Sequence, residues 1–197
     1  MIGTPLLIVI VATYCQYTLQ YPELNNLKTQ YSPNFEILAF PCNQFGLQEP
    51  GVTPTEILNG IRYVRPGNNY IPNFPMFEKT DVNGAYEQPL FTFLKKHCPP
   101  PIDEIHSCPN ITYVPVRSND LRWNFEKFLI DANGRPIKRF ASDVTPSQLE
   151  AHINSLIQNS PESINKQRQK KFHHKRNDIR ELFEKNFRFP RFMGNEN

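Results

Sequence analysis

Pro5-Leu6-Leu7-Ile8-Val9-Ile10-Val11-Ala12 is the first apolar run of the chain, Cys15 to Gln30 follows without a glycine, and Phe35-Glu36-Ile37-Leu38-Ala39-Phe40 is a second apolar run stopped by Pro41. Short runs of this kind suit either a secretory leader or a buried strand. The first is too short to cross a bilayer, no Lys or Arg precedes it, and no small-residue cleavage site follows it. It reads as a strand rich in Ile and Val, buried on both faces. Leu19, Pro22, Glu23, Leu24 and Leu27 predict a helix between the two strands, with Pro22 in its first turns. Strand, helix and strand together imply a right-handed crossover between parallel strands. Ligand chemistry then gathers at their carboxyl ends, where Cys15 and Cys42 stand.

Further along, Thr53-Pro54-Thr55-Glu56 predicts a capped helix running to Tyr63, and Arg65-Pro66-Gly67-Asn68-Asn69-Tyr70-Ile71-Pro72 predicts an exposed loop. Gln88 to Lys96 reads as helix. Trp123 to Asp131 and Arg135 to Phe140 read as a hairpin across Ala132-Asn133-Gly134, with Asn-Gly supplying the positive φ angles. Ser147 to Gln158 is a last amphipathic helix. From Asn159 the composition turns basic, with Lys166, Arg168, Lys170, Lys171, Lys175 and Arg176, so the organisation expected is one domain over 1–158 and a basic tail over 159–197, with a helix near Asp178 to Asn186. Such a tail is by default a solvated extension; the other reading is that Lys170-Lys171-Phe172-His173-His174-Lys175-Arg176 contacts an anionic polymer or membrane surface. The chain has 197 residues, 39% of them hydrophobic, which is enough for one sizeable core. Nineteen prolines predict many rigid loops, and a net charge of +3 argues against nucleic acid or membrane as the partner of the whole chain.

Val11-Ala12-Thr13-Tyr14-Cys15, followed by Gln20-Tyr21-Pro22-Glu23-Leu24-Asn25, resembles the nucleophile segment of glutathione peroxidases, in which cysteine or selenocysteine ends the first core strand. Leu38-Ala39-Phe40-Pro41-Cys42-Asn43-Gln44-Phe45-Gly46 with Gln48-Glu49-Pro50 resembles the second signature of that family, and Arg122-Trp123-Asn124-Phe125-Glu126-Lys127-Phe128-Leu129 the third. The resemblance runs from Leu6 to Ile157. It implies a thioredoxin-like α/β fold with a central mixed β-sheet flanked by helices, and a thiol-dependent peroxidase that reduces hydrogen peroxide and organic hydroperoxides. A thiolate attacks the O–O bond and leaves a sulfenic acid that another thiol must remove. By motif position Cys15 is the nucleophile. Free N–H groups at a helix amino terminus would favour its anion, and the N–H donors of Gln48, Trp123 and Asn124 would hold the sulfur and the leaving oxygen. No metal and no bound cofactor are implied, glutathione being a co-substrate. Cys42 reads as structural, with a resolving role as the alternative. Members that use thioredoxin carry a cysteine near the segment that is here Asn73-Phe74-Pro75-Met76-Phe77, which has none. A low-molecular-weight monothiol is therefore the expected partner.

Arg65, Lys138 and Arg139 match basic positions that the family uses for the carboxylates of glutathione; the plainer reading is three solvated charges. Cys98 and Cys108 flank a Pro-rich loop and are candidates for a disulfide or for two reduced thiols, and Asn110-Ile111-Thr112 is an N-glycosylation sequon. Tyr63-Val64-Arg65-Pro66-Gly67 with Pro72-Asn73-Phe74 resembles the assembly loop of the tetrameric, secreted branch, implying an extracellular homotetramer with a cytoplasmic protein as the alternative. Two residues depart from the pattern: Ile10 replaces an Asn, and Gln16 replaces a Gly beside the nucleophile, where it is expected to narrow access. The family's amino-terminal hairpin has no counterpart ahead of Leu6. Its loss would expose a sheet edge and implies a truncated gene model or splice form, with any signal peptide lost. These departures motivate a rival, an inactive extracellular binding or scaffolding protein of the same fold. A second rival is a thioredoxin-dependent peroxidase that resolves through Cys42.

Overall fold

The computed structural model describes residues 3–105 and 110–160. Strand β1 (Leu6–Val11) is its centre, and all but the first of its six residues are buried. Branched side chains restrict χ1 and pack well on a pleated surface, so this sequence is suited to an inner strand. Alternation along β1 divides the core in two. Leu7, Val9 and Val11 face one apolar cluster, whereas Ile8 and Ile10 face the other. β1 pairs in parallel with β2 (Glu36–Pro41) and antiparallel with β3 (Lys127–Ile130), which pairs antiparallel with β4 (Pro136–Phe140). The order is β2-β1-β3-β4, the mixed sheet expected of a thioredoxin-like fold.

The crossover is not one helix from Cys15, as the spacing predicted. Gln16–Gln20 form a tight 3-10 turn, and α1 (Tyr21–Tyr31) begins at the residue before Pro22. Proline lacks the N–H that an interior helical position would use, so it marks the first α-helical turn. The buried face of α1 is Tyr21, Leu24, Leu27 and Tyr31, while Leu19 is 74% exposed and belongs to no core face. α2 (Pro54–Asn59) starts on the reciprocal Thr53–Glu56 capping box and passes into a wider π-turn, Gly60–Val64. α3 (Pro89–His97) packs its Phe91 and Leu94 into the second cluster, and α4 (Glu150–Gln158) packs Ile153 into the first. The β3–β4 turn is a hairpin as expected, but only Gly134 has positive φ, at 81°. Asp131 Oδ1 accepts the backbone N–H groups of Asn133 and Arg135, both at 2.9 Å, which leaves one left-handed residue to close the turn. The basic tail and its expected helix lie outside the described residues. No helix among the described residues is long and apolar enough to cross a membrane.

The topology settles where distant segments meet. Because β3 runs against β1, the residues that enter β3 lie beside the residues that leave β1. Phe125 N–H donates to Ile10 O at 2.6 Å, and Ile10 N–H to Glu126 O at 3.2 Å. On the other side Cys42 N–H donates to Val11 O at 3.0 Å.

Candidate active site

Cys15 caps the 3-10 turn in extended conformation, and its carbonyl accepts Thr18 N–H at 3.2 Å and Thr18 Oγ1 at 2.8 Å. The approach to Cys15 is clamped from several sides. Glu49 Oε2 accepts both Thr13 N–H and Thr13 Oγ1–H at 2.8 Å, Tyr14 N–H donates to Gln48 O at 2.9 Å, and Arg65 Nη1 donates to Tyr14 O at 3.3 Å. Gly60 of the π-turn packs so closely that a Cβ there would lie 2.9 Å from Thr13 Cγ2. The Glu49 clamp was not anticipated from sequence. Its signal was an acidic residue inside an otherwise uncharged motif, Gln48-Glu49-Pro50.

Four groups favour negative charge on the Cys15 sulfur: the Tyr17 backbone N–H, the Trp123 indole, the Asn124 amide and the Arg65 guanidinium. Burial nevertheless dominates and pushes the Cys15 thiol up from its ordinary value. The sequence expectation that a helix terminus would favour the anion is thus half right: the dipoles act in that sense, and desolvation outweighs them. Asn124 is fully buried, and its Nδ2 donates to Gln48 Oε1 at 3.0 Å and to Phe45 O at 3.4 Å. Gln48 therefore reaches the sulfur through Asn124. Its own NH2 group has no hydrogen bond among the described residues, and the side chain lines the adjoining cavity. Gly46 lets this arrangement form because its φ of 62° is a left-handed conformation that residues with a side chain rarely adopt.

The cavity holds about 680 Å³ and is lined by Tyr14, Gln16, Tyr17, Gln48, Arg65 and Trp123, among others. Cys15 itself is fully buried behind this wall, and Gln16 stands on it, in keeping with a narrowed approach. Of the three basic candidates only Arg65 lines the cavity. Arg139 needs correction. It is buried, with Nε on Glu126 Oε2, while Nη1 donates to Asn119 O at 3.0 Å and Nη2 to Asp120 O at 2.8 Å, so all three of its nitrogens are engaged internally. Lys138, one residue earlier on β4, necessarily points to the other face. Its Nζ lies 3.3 Å from His152 Nε2 and 5.1 Å from the centre of the Phe140 ring, away from the cavity.

Cys42 is fully buried, and desolvation pushes its thiol up to about 12. Cys98 is a buried free thiol, and Cys108, its expected disulfide partner, lies outside the described residues. Asn110 of the sequon is exposed, is anchored by its carbonyl accepting Gly46 N–H at 2.7 Å, and lines the same cavity as Gln48 and Trp123. Among the described residues no group of His, Cys, Asp and Glu is placed to hold a metal ion.

The glutathione peroxidase family model matches residues 1–95. The epididymal secretory glutathione peroxidase of Sus scrofa is 51% identical over 152 residues, covering 77% of this chain and 69% of that protein. Glutathione peroxidase 6 of Rattus norvegicus is 50% identical over 139 residues, 70% of this chain and 62% of that protein. A crystal structure described as T. cruzi GPX1 superposes with a TM-score of 0.55 at 30% identity, covering 79% of this chain and 82% of that one.

Proposed function

The chain belongs to the glutathione peroxidase family and is a thiol-dependent peroxidase, and from that premise we propose that Cys15 attacks the hydroperoxide while glutathione or a similar monothiol restores it. One feature carries the assignment: the Trp123 indole and the Asn124 amide, more than a hundred positions from Cys15 in the chain, act with the Tyr17 N–H to hold the Cys15 thiol down against its burial. The Cys15 thiol loses its proton, its sulfur bonds to one peroxide oxygen as the O–O bond breaks, and the departing oxygen leaves protonated as water or alcohol. A first thiol then displaces water from the sulfenic acid to give a mixed disulfide. A second thiol releases the disulfide of the reductant and returns the Cys15 thiol. Trp123 and Asn124 stabilise the sulfur anion as it forms, and Gln48, whose NH2 group has no hydrogen bond among the described residues, faces the leaving oxygen.

Arg65 is the remaining basic group suited to a carboxylate of the reductant. Resolution through Cys42 is disfavoured physically, because a fully buried thiol pushed up to about 12 supplies almost no thiolate at neutral pH. An extracellular location is supported by the secretory relatives and by the exposed sequon at Asn110. A homotetramer is supported by exposed Tyr63, Val64 and Ile71 in the loop that resembles the family's assembly segment, and light scattering on the purified chain tests it.

The full burial of Cys15 favours one rival, an inactive protein that retains the fold. A coupled assay separates the two: wild type should consume hydrogen peroxide in the presence of glutathione, and Cys15→Ser should not. Equal consumption by both proteins would remove Cys15 from the reaction.

A further inference from the structure

Lys127 is a fully buried cation in β3 for which the chemistry above has no use. Its Nζ donates to Phe125 O at 2.7 Å, to Val144 O at 2.7 Å and to Ser142 O at 3.4 Å, so three ammonium protons meet three backbone carbonyls. Phe125 has φ 66°, a left-handed conformation that is strained for a bulky residue and persists only where its surroundings enforce it. In that conformation its N–H reaches Ile10 O at 2.6 Å, while its carbonyl turns inward to the ammonium. Immediately before it stand Trp123 and Asn124, the side-chain donors to Cys15. Of the other two carbonyls, that of Ser142 belongs to a residue lining the peroxide cavity and also accepts Gln20 Nε2 at 2.7 Å, and Val144 follows directly on Asp143, which lines the cavity too. A neutral apolar side chain would fill the volume and leave the Phe125 carbonyl buried without a donor.

We propose that Lys127 is a positioning residue of the peroxidase site, holding Phe125 left-handed so that Trp123 and Asn124 address Cys15, and tethering the Ser142–Val144 wall to the same point. This rests on Cys15 being the nucleophile, which the Cys15→Ser assay tests independently. Lys127→Met removes the ammonium at nearly constant length. The variant should melt cooperatively, its Cys15 alkylation should move to higher pH, and its kcat/KM for hydrogen peroxide should fall about 30-fold. Lys127→Arg, which keeps charge and donors, should recover part of both. A folded Lys127→Met with the alkylation profile and peroxide rate of wild type overturns the proposal.

If Lys127→Met does not fold, the emission of Trp123, the only tryptophan, gives the same reading in the Cys15→Ser protein. The charged groups facing Lys127 are Asp143, Glu126 and Glu23, and burial lowers the amine to about 7. Emission should therefore titrate with a midpoint near that value and keep doing so when His152 is replaced by Gln. An emission profile that stays flat up to about pH 10.5, the ordinary lysine value, overturns the proposal as well.

Discussion

At the scale of the residue, Cys15 presents a conflict between burial and hydrogen bonding, and the sign of its pKa shift decides what its donors do. Because desolvation raises the thiol, Trp123, Asn124 and the Tyr17 N–H limit a cost rather than produce a free-standing thiolate. Alkylation of Cys15 should thus keep rising with pH beyond the ordinary thiol range. A plateau near neutrality in an iodoacetamide titration would contradict the burial seen here. Trp123→Phe and Asn124→Ala each remove one donor, so each should move the titration further upward and slow the reaction with hydrogen peroxide about tenfold, equivalent to about 1.4 kcal/mol in the barrier. Stopped-flow oxidation of the reduced protein measures that rate without involving the reductant.

At the scale of the element, the π-turn after α2 and the first residues of β3 are structural parts with consequences for the site. Gly60 lies against Thr13, so Gly60→Ala forces a Cβ within 2.9 Å of the Thr13 methyl. Ala favours helix over Gly by about 1 kcal/mol, which offsets part of the strain. Stability should change little in a urea melt, while peroxide turnover falls because Thr13 leads directly into Cys15. β3 contributes a dependence of stability on pH. Lys127 is an ammonium in the fold below about pH 7, where burial has lowered it, and above that value it releases a proton that the unfolded chain still binds. Stability therefore rises with pH above that value, by at most about 1.4 kcal/mol per unit. Cys42 acts oppositely at alkaline pH: the fold keeps a proton up to about 12 that the unfolded chain has already lost. Melts across this range should show a maximum, and Lys127→Met should erase the rising limb while leaving the alkaline fall.

At the scale of the whole molecule, the sheet brings the carboxyl end of β1, the loop after β2 and the entry to β3 around one cavity, and the sequon stands on the same rim. If the chain is secreted and Asn110 carries a glycan, the glycan covers part of the entrance. Secreted wild type and Thr112→Ala, which removes the sequon and keeps Asn110, should then turn over hydrogen peroxide equally. The unglycosylated variant should be several-fold faster on a phospholipid hydroperoxide. Equal rates on the bulky substrate would place the glycan away from the entrance.

Reading along the chain was sufficient for whatever depends on neighbouring residues. The apolar run Leu6–Val11, the Thr53–Glu56 capping box and the glycine of the β3–β4 turn are local signals, and each forms the expected element. The motif positions of Cys15, Trp123 and Asn124 were likewise legible, because residue type and order carry them. Legibility ended where a side chain's partner is distant in sequence. Nothing local to Arg139 distinguishes a surface cation from one buried on Glu126, nothing near Glu49 reveals Thr13 as its partner, and the donor role of Lys127 depends on carbonyls from another loop. Local sequence was enough to nominate most of the elements and the residue types of the candidate site. Which charges are spent internally, and that burial outweighs the dipoles at Cys15, followed from the packed fold, because desolvation depends on everything that surrounds a group rather than on its neighbours in the chain.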